Sequence, residues 1–140
     1  MKKILVSKCL LGINCRYKGD SCKNDAVCAL SEKYEIIPIC PEQDGGLPTP
    51  RDPAEIVNGR VISSAGRDVT AEYEKGARHA LELAREHNVE FAVLKSKSPS
   101  CGCGTIYDGT FSGTLITGDG ITAGLLKAMG FKVTDENSIK

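Results

Sequence analysis

The chain has 140 residues, of which 41% are hydrophobic, and its 18 basic residues balance its 18 acidic residues. This length suits one core, so we predict a single domain over residues 1–140. The balanced charge gives no support for binding nucleic acid or a membrane surface, and the longest apolar runs are too short to cross a bilayer. Seven cysteines without a recognisable secretion signal favour a reducing, cytoplasmic location and metal or thiol chemistry over a disulfide framework.

Four short apolar runs predict β-strands, at residues 3–7, 35–39, 90–94 and 131–133. The second run contains Pro38, which indicates an edge strand or a strand end. Because the runs are apolar throughout rather than alternating, they favour a parallel sheet that is covered on both faces.

Three helices are predicted between these strands, at residues 24–33, 70–86 and 121–129. Asn24 and Thr70 are candidate N-caps, and Gly130 suits the left-handed residue that ends the third helix. The second helix is the clearest, since its apolar residues recur at spacings of three and four. They are Tyr73, Ala77, Ala80, Leu81 and Ala84. The alternation of strands and helices predicts a three-layer, Rossmann-like α/β domain.

Two segments read as loops, residues 41–66 and 95–120, and both are rich in glycine or proline. Within the first, Asn58-Gly59 between apolar residues predicts a small hairpin over residues 55–62 with a type I′ turn. Both segments leave the carboxyl ends of predicted strands, where open α/β sheets form their ligand crevices.

Three cysteines stand where a predicted strand ends or in the loop after it: Cys9, Cys40 and Cys101. If these strands are neighbours, the thiols meet at one sheet edge, where three soft thiolates suit a metal or an iron–sulfur cluster with one open position. Taken singly, each could equally be a small buried apolar residue. Cys15 is the reserve ligand, whereas Cys22, Cys28 and Cys103 are not expected to bind metal.

Polar residues near these cysteines are candidates for the remaining chemistry. Glu42 is either a general acid or base in a partly apolar crevice or a solvated loop residue. Ser98 lies in a Ser-Pro-Ser turn and could donate a hydrogen bond to a substrate. Arg16 and Arg51 could each bind an anion or lie on the surface. The two histidines, His79 and His87, read as solvated positions on the long helix.

Three blocks of sequence, in order, resemble a bacterial family whose characterised branch is thiouracil desulfidase. The first block is SKCLLG with CRYKG, within residues 7–19. The second is CPE followed by GGLPTPR, within residues 40–51, and the third is LKSKSPSCG followed by IYDGTFSG, within residues 94–113. The resemblance runs nearly from end to end, so the chain is identified as a member of this thiouracil desulfidase-like family.

The resemblance implies a [4Fe-4S] cluster on Cys9, Cys40 and Cys101, with one iron left free. It also implies a non-redox desulfidase that removes sulfur from a small thiocarbonyl compound, such as a thiolated pyrimidine, and releases hydrogen sulfide. In this mechanism the sulfur binds the free iron and water attacks the carbon. Glu42 matches the family's acid/base residue, and Ser98 matches its substrate-contacting serine.

One alternative from another class is a non-catalytic metal- or sulfur-binding module, with zinc or a cluster on the three cysteines. Either interpretation predicts a monomer or homodimer whose partner is a small molecule, rather than nucleic acid or a membrane.

Overall fold

The computed structural model of the protein describes residues 1–139. Its strands are β1 (Lys3–Ser7), β2 (Glu35–Ile39), β3 (Ala54–Val57), β4 (Arg60–Ser63), β5 (Ala92–Leu94), β6 (Thr105–Tyr107), β7 (Leu115–Thr117) and β8 (Val133–Asp135). Its helices are α1 (Asp25–Cys28), α2 (Pro41–Asp44), α3 (Thr70–Glu86) and α4 (Ile121–Ala128). Among residues 1–139, no helix combines the length and the apolar character that crossing a membrane requires.

The central sheet contains β1, β2, β5 and β8 in the order β2-β1-β5-β8, and every neighbouring pair is parallel. The predicted first and second strands are confirmed at both ends, and β2 lies at the sheet edge as Pro38 indicated. The third begins at Ala92 rather than residue 90, although the Glu90 amide already donates to the Lys3 carbonyl. The last strand is Val133–Asp135 instead of residues 131–133, although the Lys132 carbonyl already accepts from the Ala92 amide.

Helical segments cover both faces of this sheet, which confirms the predicted α/β architecture. On one face, α3 and α4 pack on a core cluster that includes Leu5, Leu81 and Leu126. On the opposite face, Ile4 and Val6 pack against short helical turns. Alternate residues of β1 therefore enter opposite cores, as the two-residue period of a strand requires.

The helix predicted at residues 24–33 is divided into α1 and a 3₁₀ turn at Ala29–Glu32. The Asn24 cap is confirmed, since its side-chain oxygen accepts from the Val27 amide at 3.0 Å. At the third helix, α4 ends one residue earlier than predicted, and Gly130 adopts the expected left-handed conformation with φ 91°.

Helix α3 has the predicted bounds and the predicted buried face. The prediction of Thr70 as its N-cap is wrong, because Thr70 is the first helical residue and Val69 occupies the cap position. The Thr70 hydroxyl instead accepts from the Val61 amide of β4 at 2.8 Å, and the Asp68 carboxylate accepts from the Thr70 amide at 2.9 Å. The Thr70 hydroxyl, which could have capped the helix locally, is used instead in a tertiary contact with β4.

Two antiparallel hairpins lie outside the central sheet. The predicted one is β3–β4, and both turn residues, Asn58 and Gly59, have the positive φ angles of a type I′ turn. The second, β6–β7, lies in the segment that the sequence indicated only as a loop. The extent of the domain, predicted as residues 1–140, stays a prediction.

The short helix α2 packs backbone to backbone against α3. A Cβ atom added at Gly76 of α3 would clash with the Pro41 carbonyl, and one added at Gly45 would clash with the Glu72 carbonyl. Only glycine permits this approach at both positions, so α3 fixes the turn that follows Cys40.

Candidate functional site

A cleft of about 370 Å³ opens at the carboxyl edge of the central sheet. Its lining comes from the segments that follow β1, β2 and β5, together with part of the loop between α2 and β3. This volume lies in the usual range for a site that binds a small molecule.

The three cysteines singled out by sequence all line this cleft. Cys9 lies in a 3₁₀ turn directly after β1, Cys40 directly follows β2, and Cys101 lies in the loop after β5. All three are buried, with 7%, 7% and 5% of their surface exposed. The Ser7 hydroxyl at the end of β1 donates to Cys101 Sγ at 3.5 Å, which joins two of these segments.

A fourth thiol, Cys15, is closer to the others than the sequence indicated. It is 2% exposed and lines the same cleft, near enough to Cys9 and Cys40 for both thiols to influence its pKa. The Cys40 thiol also donates to the Cys15 carbonyl at 3.8 Å. The thiols of Cys28 and Cys103 donate to the backbone carbonyls of Leu10 and Val133, which do not line the cleft.

Three of the cleft thiols, those of Cys15, Cys40 and Cys101, have raised pKa values. Burial raises the pKa of Cys101 to about 12. A hydrogen bond with Cys15, together with burial, raises the pKa of Cys40 far above its ordinary value. For Cys15, the bond with Cys40 lowers the pKa, but the bond with Cys9 and burial outweigh it and bring the value to about 11. A metal that binds these sulfurs must therefore displace their protons.

The donor set fits a polynuclear iron–sulfur group better than a single ion. Within residues 1–139, no three His, Cys, Asp or Glu side chains surround one point closely enough to hold one metal ion. A cluster distributes its thiolates over separate irons, so its ligands need not meet at one point. Buried soft sulfur donors from three chain segments are the chemistry that such a cluster requires.

Glu42, in α2, forms a partly buried ion pair with Arg51. Arg51 Nε donates to Glu42 Oε2 at 2.7 Å, and Arg51 Nη2 is paired with the same oxygen. The two side chains are only 7% and 14% exposed. Arg51 Nη2 also donates to the Cys15 carbonyl at 3.0 Å. The sequence left Arg51 open between an anion site and a surface charge, and the structure gives it a carboxylate partner inside the cleft.

The Ser98 hydroxyl is surrounded by the protein itself. Its oxygen accepts from the amides of Ser100 and Cys101, at 3.0 and 3.1 Å, and so shapes the loop that carries Cys101. The hydroxyl donates to Glu42 Oε1 in a long hydrogen bond, with 3.4 Å between the two oxygens. Ser98 thus lies between the carboxylate and a thiol, while its expected contact with substrate stays a prediction.

Several other residues of the cleft were not anticipated as functional. Lys95 lines it and forms an ion pair with Glu136 at 3.0 Å. Glu55 of β3 also lines it and accepts from the amides of Gly109 and Phe111, which attaches the β6–β7 loop to the cleft wall. Both contacts join residues that are far apart in sequence, so local patterns could not indicate them. Arg16 lines the cleft and pairs with Asp20.

A cleft that combines buried thiols with an ion-paired carboxylate, at the carboxyl edge of a parallel sheet, defines an α/β protein with a small-molecule site built for a soft metal centre. The chain belongs to the 2-thiouracil desulfurase family, whose model matches residues 4–138.

Two relatives are similar along almost their whole length. The uncharacterized protein YbbK of Bacillus subtilis (strain 168) is 44% identical, over 97% of this chain and 97% of that protein. The solved structure of TudS, a [4Fe-4S]-dependent thiouracil desulfidase, is 45% identical with a TM-score of 0.92, and the match covers 98% of this chain and 92% of that one.

Proposed function

We propose that this protein is a [4Fe-4S]-dependent desulfidase that replaces the sulfur of a small thiocarbonyl compound with oxygen from water. The reaction converts C=S and H₂O into C=O and H₂S, so it needs no electron donor or acceptor. A thiolated pyrimidine such as thiouracil is the substrate to test first. Similarity to the thiouracil desulfidase TudS over nearly the whole chain carries this conclusion.

Cys9, Cys40 and Cys101 are the residues that would hold the cluster. They leave three different strands of one sheet and line one cleft, and each is buried. When bound, the cluster supplies an iron that acts as a Lewis acid toward sulfur, which suits a soft thiocarbonyl atom. Cys15 is excluded from the proposed ligand set, although it lines the same cleft and its carbonyl accepts from the Cys40 thiol at 3.8 Å.

Glu42 is the residue that would move the proton. Hydrolysis of a thiocarbonyl requires a proton to leave the attacking water and another to reach the departing sulfur. Glu42 lines the cleft, and its Oε1 atom is the oxygen that Arg51 leaves free. Ser98, next to that oxygen, would orient the water or substrate through its hydroxyl.

The proposal includes a reducing compartment, such as the cytoplasm. The seven cysteines, all within residues 1–139, are free thiols. Oxidation of the thiols in the cleft would remove the ligands that the cluster needs.

The test is anaerobic reconstitution with iron and sulfide, followed by measurement of the visible spectrum, the iron content and the release of sulfide from thiouracil. We expect a brown protein that releases one sulfide for each thiouracil converted to uracil. Protein loaded with zinc is the matched control, because zinc is colourless and gives no cluster absorbance. A protein that binds zinc but builds no cluster would instead be a metal-binding module. A cluster-loaded protein that releases sulfide from no thiocarbonyl compound would overturn the proposed activity.

A further inference from the structure

The two oxygens of the Glu42 carboxylate have different environments. Oε2 accepts a hydrogen bond from Arg51 Nε at 2.7 Å and also forms an ion pair with Arg51 Nη2. Oε1 accepts one long hydrogen bond, from the Ser98 hydroxyl at 3.4 Å, and the buried Tyr73 also faces this carboxylate in the cleft. That distance is longer than the usual 2.5–3.0 Å of an O–H···O hydrogen bond. One oxygen is therefore firmly bound, and the other is only loosely engaged.

Arg51 is itself fixed by its surroundings. A guanidinium group has five N–H donors, and the contacts of Arg51 account for all of them. Besides its two contacts with Glu42, Nη1 donates to the Pro48 carbonyl and the Thr49 hydroxyl, and Nη2 donates to the Cys15 carbonyl. The backbone amide of Arg51 donates to the Tyr17 carbonyl at 2.7 Å. Arg51 cannot follow the carboxylate if it turns, so Oε2 is held in place.

We propose that Arg51 is a positioning residue that anchors Oε2 of Glu42 and thereby presents Oε1, on the Ser98 side, to the reacting water. This inference rests on the proposed function of Glu42. A carboxylate that is held at one oxygen by a fixed guanidinium cannot rotate about its last side-chain bond without breaking a charge-assisted hydrogen bond and an ion pair. Arg51 contributes geometry to the reaction while touching neither the substrate nor the cysteine sulfurs.

The experiment compares Arg51→Ala with Arg60→Ala, both reconstituted with the cluster. Arg60 is the matched control, since it is an exposed arginine on β4 that also pairs with a carboxylate, Asp68, at 3.0 Å. We expect Arg51→Ala to lower kcat on thiouracil roughly a hundredfold, the scale of an ångström-sized misplacement, with little change in KM. Its cluster absorbance should equal that of the unmodified protein, and Arg60→Ala should match the unmodified protein in every measurement.

Chemical rescue separates positioning from general damage. Millimolar guanidinium chloride should restore a substantial part of kcat to Arg51→Ala, because the small cation can occupy the vacated pocket and grip Oε2. Sodium chloride at the same ionic strength should not. The second variant, Arg51→Lys, keeps the charge without the planar fork, so its kcat should lie between those of Arg51→Ala and the unmodified protein. If Arg51→Ala does not fold, Arg51→Lys carries the kinetic test alone.

A double-mutant cycle gives a test that does not depend on enzyme activity. The quantity measured is the Tm of the cluster-free protein. Arg51→Ala and Glu42→Gln should each lower the Tm, and the double variant should lower it by less than the sum, because both remove the same ion pair. Additive Tm changes, a normal kcat in Arg51→Ala, or a loss confined to KM would overturn the positioning role and leave the proposed function intact. If the unmodified, cluster-loaded protein releases no sulfide, the proposed function fails, and the inference fails with it whatever the Tm values.

Discussion

The two walls of the cleft differ in how the fold positions their side chains. The thiol wall, made of Cys9, Cys40 and Cys101, is set by sheet order, because β2, β1 and β5 are adjacent and parallel and their chains leave at the same edge. The polar wall, made of Glu42, Arg51 and Ser98, is set by hydrogen bonds between loops. Strand order cannot be altered by one substitution, whereas a loop network can, so the walls should respond differently to mutation.

The walls also have different tasks in the proposed reaction. The thiol wall would hold the cofactor, and the polar wall would move a proton and orient the reactants. They touch where the Ser98 hydroxyl accepts from the Cys101 amide. Variants within one wall should therefore affect one task, and variants at this junction should affect both.

The largest effect is expected on the thiol wall. Cys101→Ala should lose the cluster and the activity together, because it removes one of the three proposed ligands. The measurements are the visible spectrum, the iron content and sulfide release after reconstitution. Cys103→Ala is the control from the same loop, since its thiol contacts the Val133 carbonyl instead of the cleft. An intact cluster in Cys101→Ala would remove Cys101 from the ligand set.

On the polar wall, Glu42→Gln should separate the two tasks. The amide keeps the size of the side chain but cannot take up the proton, so turnover should fall at least about a hundredfold. The cluster absorbance should survive, because the carboxylate lies outside the thiol set. Normal turnover, or loss of the cluster in this variant, would show that the two walls do not have separate tasks.

At the junction, Ser98→Ala should weaken both tasks moderately. It leaves the amides of Ser100 and Cys101 without their side-chain acceptor, which costs about 1 kcal/mol for each hydrogen bond. We expect roughly tenfold lower turnover and faster loss of iron to a chelator. Ser98→Thr keeps the hydroxyl and should resemble the unmodified protein. A Ser98→Ala protein that loses turnover but retains iron normally would assign Ser98 to the polar wall alone.

The smallest effect is expected for Cys15→Ala. Cys15 lies beside the thiol wall and outside the proposed ligand set, and a thiol is only a weak hydrogen-bond donor, so turnover should change by no more than about twofold. Iron content and absorbance should be unchanged. A colourless Cys15→Ala protein would show that Cys15 is a ligand and belongs to the thiol wall.

The sequence predicted the elements whose cause is local. Helix α3 was correct at both ends because seventeen residues repeat one apolar period, and the β3–β4 turn was correct because Asn58-Gly59 suits two positive φ angles. The thiol wall could be predicted for a related reason, since the ends of neighbouring parallel strands bring their cysteines to one edge of the sheet. The family resemblance then supplied their proposed role.

The features that were missed depend on contacts between distant segments. The β6–β7 hairpin has strands of only three residues, too short for an alternating pattern to emerge. The Thr70 hydroxyl was taken by β4, which no local rule anticipates. The pairing of Arg51 with Glu42, and the position of Cys15 against two other thiols, likewise exist only once the loops are packed.

The order of strands in the sheet has a consequence for how the protein is made. Cys9 and Cys101 leave adjacent strands, β1 and β5, yet residues 10–100, about two thirds of the chain, lie between them. With the proposed ligand set, a nascent chain therefore cannot offer all three cysteines to iron until β5 has joined the sheet. A compact zinc finger uses its metal to begin folding, whereas this protein must fold first, with its thiols kept reduced, and receive its cofactor afterwards. In the cell, the cofactor would then have to be delivered to an apoprotein that has already folded.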